Sequence, residues 1–119
     1  MTALISLGEL LLRCTEAGLS EQLDDGSFPP GWNGPYRDLE TPARNTAHHL
    51  ILLLHAWELS GESRWRKAAE AALAYLLSAE LRPMQASFWS RRNPAKDFCN
   101  GLVGQAWVLE ALLVAADRL

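Results

Sequence analysis

Cysteine is nearly absent from this chain. Cys14 and Cys99 are the only two, with no CxxC spacing, so neither a disulfide framework nor a structural zinc site is expected. Basic residues give no excess either. Eleven Lys and Arg face fourteen Asp and Glu, for a net charge of −3, which argues against nucleic-acid binding by bulk charge. No apolar run approaches the roughly 20 residues needed to span a bilayer, so no membrane partner is expected. Leu4, Ile5 and Leu7 lack a preceding basic residue and are interrupted by Glu9, which reads as a helix start and not as a secretory signal. A cytoplasmic location follows as the default. Phosphate loops, nucleophile elbows and metal motifs are all missing, and the glycines of Asn100-Gly101-Leu102-Val103-Gly104 make no nucleotide fingerprint. No cofactor is implied.

What is present is apolar and helical. Hydrophobic residues make up 49% of the 119 and charged ones 21%, the balance of one globular domain. Leu4, Leu7, Leu11 and Cys14 share a face of a first helix over residues 3–17, which Gly18 would end. Residues 23–41 hold three glycines and three prolines and read as a loop. Thr41-Pro42 then signals a helix start, and a second helix runs to about Ser60, with Gly61 as its stop. Its middle, Leu50 to Leu54, is apolar on every side and calls for burial all round. A third helix from about Ser63 to Glu80 is one-sided: Trp65, Ala68, Ala69, Ala72, Leu73 and Leu76 face in, while Arg64, Arg66, Lys67 and Glu70 face out. A second loop spans about 82–98, and a last, largely apolar helix runs from about Asn100 to the end.

This outer, inner, outer, inner order looks like a hairpin that occurs twice, roughly over 1–60 and 61–119. His55-Ala56-Trp57-Glu58-Leu59 returns as Gln105-Ala106-Trp107-Val108-Leu109, at an offset of 50. Asn45 and Asn100 are 55 apart, and the Ser27-Phe28 and Ser87-Phe88 pairs 60 apart. The fold class is therefore all-α, with four helices in two antiparallel hairpins and both long loops on one face, where function would sit.

Three groups of residues could carry chemistry there. Asn45, His48 and His49 lie at i, i+3 and i+4 beside Arg44, in the turn nearest the first loop; a histidine there can move protons near neutral pH. Trp89, Arg91, Arg92, Asn93, Lys96, Asp97 and Asn100 form a locally positive, aromatic second loop. Arginine forks bind carboxylates, and an aromatic ring stacks on a sugar. Trp32 in the first loop offers a second ring. Among the loop acids Asp24, Asp25, Asp38, Glu40 and Asp97, no spacing selects a pair for glycoside hydrolysis. Asp38 and Asp97 are the candidate catalytic acids beside His48 and His49. Trp32, Arg44, Asn45, Trp89, Arg91, Arg92 and Asn100 are the candidate binding residues.

The runs DGSF, TPARNTAHHLILLLHAWELSGESRWRKAAEAALAYLL and FWSRRNPAKDFCNGLVGQAWVLEALL resemble the (α/α)-toroid carbohydrate enzymes, the six-hairpin glycosidase superfamily with its unsaturated glucuronyl hydrolase and N-acylglucosamine 2-epimerase relatives. The resemblance implies part of an (α/α)6 toroid that acts as a hydrolase or epimerase on a carbohydrate, with an acidic sugar favoured by the loop charge. A closed ring of about 55-residue repeats needs about 330 residues. The 119 residues are thus expected to be an incomplete domain, either an N-terminal excerpt of a longer chain with further hairpins or a protomer that closes by self-association. The alternative is a non-catalytic helical-repeat module that binds or scaffolds a partner.

Overall fold

A computed structural model describes residues 4–93, 95 and 101–119. Four helices dominate: α1 (Leu7–Leu19), α2 (Ala43–Ser60), α3 (Ser63–Leu76) and α4 (Gly101–Arg118). Two two-residue strands, β1 (Trp32–Asn33) and β2 (Asp38–Leu39), pair antiparallel inside the first loop, with Trp32 opposite Leu39.

The apolar middle of α2 sets the arrangement, but the expected burial all round is only partial, since Ile51 and Leu52 stay half-buried. Leu50, Leu53 and Leu54 are fully buried, and α2 packs on α1, α3 and α4. Gly8 lies against Leu59 and Gly18 against His49, so α1 runs antiparallel to α2. Arg66 sits over Trp57, so α3 does too. His48 meets Trp107 near the start of both helices, and Glu58 meets Arg118 near their ends, so α4 runs parallel to α2. The expected all-α hairpin pair is therefore present, with α2 and α4 in contact.

Both long loops meet at the N-terminal end of α2. Glu40 and Arg91 form an antiparallel bridge. The Thr41 amide donates to the Ser90 carbonyl at 3.0 Å, and its hydroxyl donates to the Trp89 carbonyl at 2.6 Å. Each loop also pins a Ser-Phe pair to the helix it precedes. The Phe28 amide donates to Thr46 Oγ1 at 2.9 Å. The Phe88 amide donates to Gln105 Oε1 at 2.7 Å, and Gln105 Nε2 returns a bond to the Phe88 carbonyl. Thr46 and Gln105 thus do the same job 59 residues apart, and both inner helices are 18 residues long. This layout follows the 60-residue offset of the Ser-Phe pairs. The 50-residue likeness of the helix bodies does not mark equivalent positions.

Some boundaries shift for local reasons. α1 begins at Leu7, not residue 3, because Ser6 caps it and accepts from the Glu9 amide at 3.1 Å. It also runs through Gly18 instead of ending there. A Cβ at Gly18 would fall 2.6 Å from His49 Cε1, so this glycine serves close approach. α3 stops at Leu76, and a 3-10 turn (Ala79–Leu81) takes over.

Gly26 is the tightest position in the first loop. Its φ is +86°, and a Cβ there would lie 2.2 Å from the Ala71 carbonyl oxygen. Gly26→Ala should cost about 2–4 kcal/mol, combining backbone strain with a clash against another backbone. Gly34→Ala, with nothing within 4 Å, should leave the urea midpoint nearly unchanged. Equal midpoints for the two variants would refute this account of the loop.

Loss of an anchor should also be measurable. Thr46→Val would strand the buried Phe28 amide, at a cost of about 1–3 kcal/mol. Thermal melting should show that loss, whereas Thr46→Ser should retain most of the stability.

Candidate functional site

The loop junction builds a charged cluster from three elements. Glu40, just before α2, is only 5% exposed. Its carboxylate pairs with Arg44 Nη2 one helical turn on, at 2.7 Å. The Arg44 guanidinium also lies over the Trp107 ring of α4, 5.3 Å from its centroid. Arg44 is thus held from two sides, while its side chain keeps 29% exposure. A guanidinium carries five donors, and a carboxylate on one edge leaves others for a second anion.

The two neighbouring histidines face different ways. His48 meets Trp107 edge-on, with centroids 5.8 Å apart. Burial is the main reason its pKa is lowered; the Arg44 charge lowers it further, and Glu110 opposes. His49 stacks flat on Phe28 at 3.9 Å and fills the space that Gly18 leaves. Its pKa is also lowered, by burial and then by His48. Asn45 Nδ2 donates to the Pro29 carbonyl at 2.7 Å, holding the first loop against the helix.

The second loop closes the cluster. Asn93 donates to Asp38 Oδ1 at 3.3 Å. The indole N–H of Trp89 donates to the Arg91 carbonyl, and Arg92 lies 5.4 Å from that ring's centroid. Arg91 Nε is buried and finds no acceptor among the described residues. Trp32 stands 64% exposed on β1, and Tyr36 is exposed at the turn of the same hairpin. Lys96, Asp97 and Asn100 lie outside the described residues. The structure thus gathers Arg44, His48, Asp38, Trp89, Arg91 and Arg92 around the meeting of the loops, and turns His49 and Asn45 to holding the loop in place.

Two contributors escaped the sequence reading. Trp107 enters there only as part of a repeated pentapeptide, yet it is the ring under Arg44. Glu40 reads there as one loop acid among five. The available signal was its position four residues before Arg44, the spacing of an ion pair across a helix start. Among the described residues, no group of three His, Cys, Asp or Glu side chains is placed to hold a metal ion, and no helix is long and apolar enough to cross a membrane.

The chain is similar to archaeal glycosylation protein Q of Haloferax volcanii, with 56% identity over 114 residues. The match takes in 96% of this chain and 31% of that protein, so the chain spans about a third of its relative's length. No known protein-family profile and no solved structure matches.

This similarity corrects the resemblance drawn from the sequence. The relative is a glycosylation protein, and nothing ties the chain to the six-hairpin glycosidases, the glucuronyl hydrolases or the 2-epimerases. The reading as part of a hydrolase or epimerase toroid in carbohydrate metabolism is set aside, and the scaffold alternative gains no support. The physical reason is that all-round apolar inner helices and Gly-Trp-rich loops are what any stack of helical hairpins requires. They specify a packing layer and not a family.

A pH titration tests the histidine geometry. Both imidazoles have folded pKa values below the ordinary 6.5. Above pH 6.5 they are neutral whether folded or unfolded. Below it the unfolded chain takes up protons first, so stability should fall as pH drops from 6.5 toward the folded values. Urea midpoints across pH 7.5 to 5 should show this slope, and His49→Gln should flatten it. An unchanged slope in His49→Gln would show that His49 does not contribute.

Proposed function

We propose that this chain is part of a glycosylation protein and that its loop-bearing end binds a carbohydrate, preferentially an acidic sugar. The observation that carries the first half is the 56% identity across nearly the whole chain to archaeal glycosylation protein Q. The second half rests on the chemistry of the loop junction.

Arg44, fixed between Glu40 and Trp107, offers a pre-oriented fork to a sugar carboxylate. Arg91 and Arg92 add positive charge, and the exposed Trp32 ring is a surface on which a pyranose can stack. His48, neutral at physiological pH and beside Arg44, can donate to or accept from a sugar hydroxyl. Of the two histidines it is the one at the cluster, and Asp38, held by Asn93, is the candidate acid that the loops supply. A cytoplasmic location agrees with the exposed free thiol of Cys14, which a reducing compartment preserves.

The first test is a segment exchange. In Haloferax volcanii, this chain replaces the matched segment of glycosylation protein Q, and the glycans on the cell's glycoproteins are weighed by mass spectrometry. An unaltered glycan profile is expected. The profile of a deletion strain, from a chimera that accumulates normally, would overturn the assignment.

The second test measures sugar binding to that chimera. A uronic acid should bind more tightly than its neutral counterpart, and added salt should narrow the gap. Arg44→Met should weaken uronate binding roughly tenfold or more, the scale of a lost charge-assisted hydrogen bond, with little effect on the neutral sugar. Equal affinities at all salt concentrations would remove the acidic-sugar reading while leaving the glycosylation role standing.

A further inference from the structure

α4 has an outer face that the fold leaves uncovered. Leu102, Ala106, Leu109, Leu113 and Ala116 fall alternately four and three residues apart, and all five are exposed. Leu102 is 84% and Leu113 73% open to solvent. The opposite face of the same helix, at Val108, Ala111 and Ala115, is fully buried in the core. A helix apolar on both sides is an interior helix, and one whose outer residues repeat at this spacing presents the seam that another helix packs against.

Two further observations describe the partner. Past Ala116 the seam runs into an apolar depression of about 260 Å³ between α3 and α4, floored by Leu73, Leu77, Leu112 and Leu119. Glu110 and Asp117 flank the seam on its other side. The occupant should therefore be an amphipathic helix, apolar toward α4 and basic toward that acidic edge. The matched segment is 31% of glycosylation protein Q, so most of that protein lies outside it.

We infer that the α4 seam is the docking face for an amphipathic helix with a basic flank, supplied by the part of the protein that lies outside the matched segment and seated along Leu102 to Ala116. A second copy of this chain is a poorer occupant. α1, its other exposed apolar helix, carries Glu9 and Glu16 against a single Arg13, which would set net acid against the acidic edge of α4. The inference rests on the similarity and on packing, and is independent of any sugar.

Cysteine accessibility tests it. Leu109→Cys and Leu113→Cys are made separately after Cys14→Ser and Cys99→Ser, both in the isolated chain and in the chimera with glycosylation protein Q. Both positions are exposed, so neither change should alter the melting of the isolated chain. A maleimide should label both thiols promptly in the isolated chain and at least tenfold more slowly in the chimera. Equal rates in a cooperatively melting chimera would overturn the inference. So would slow labelling of the isolated chain accompanied by a dimer in sedimentation, which would make the occupant a second copy. If the chimera does not melt cooperatively, the same cysteines at the aligned positions of glycosylation protein Q itself carry the same expectation, and rapid labelling there overturns it.

Discussion

The whole arrangement depends on the need to bury the Leu50, Leu53, Leu54 and Ala56 side of α2. A helix this apolar needs several neighbours, and here α1, α3 and α4 supply them, leaving only the side through His48, Ile51, Leu52 and His55 partly open. α3 can follow through a tight turn because it only has to double back. α1 and α4 must reach α2 from elsewhere, and the segments that bring them are long. Since α1 is antiparallel to α2 and α4 parallel to it, both long segments fall at the same end. The charged cluster is a by-product of that geometry: the loops have to cross one another where α2 begins.

Thr41 joins the two loops at that crossing. Its hydroxyl donates to Trp89 and accepts weakly from the Ala43 amide, at 3.3 Å. One side chain therefore helps to start α2 and fastens the second loop to it. Arg44 then depends on the same crossing, because Glu40 and Trp107 come from opposite sides of the junction. The geometry offered to an anion is set by backbone hydrogen bonds some distance from the guanidinium itself.

The architecture was largely legible in the sequence, and the site only in part. The unbroken apolar run Leu50 to Leu54 and the one-sided stripe of α3 mark an inner and an outer helix, so helix number and order could be read from them. The Ser6 cap was missed because the apolar residues before it masked the start signal. The pairing of Glu40 with Arg44 could be read only from spacing. The contact of Arg44 with Trp107 could not be read at all, because it joins residues brought together by the parallel packing of α2 and α4. The division between His48 and His49 was hidden for the same reason: adjacent positions on a helix point about 100° apart, and only the neighbours decide which faces the cluster. The toroid resemblance failed where letters describe packing, and the correction came from similarity along the chain.

The fit between Gly18 and His49 ties two distant positions to a single choice. The imidazole occupies the volume that any side chain at residue 18 would claim. Divergent versions of this fold cannot vary the two independently: a bulkier residue in α1 requires a smaller one in α2, and with it the flat stack on Phe28 disappears. The first loop would then lose its ring-on-ring seat. Sequence drift in the outermost helix is therefore read out at the mouth of the site, as a change in how firmly the loop that carries Trp32 is held.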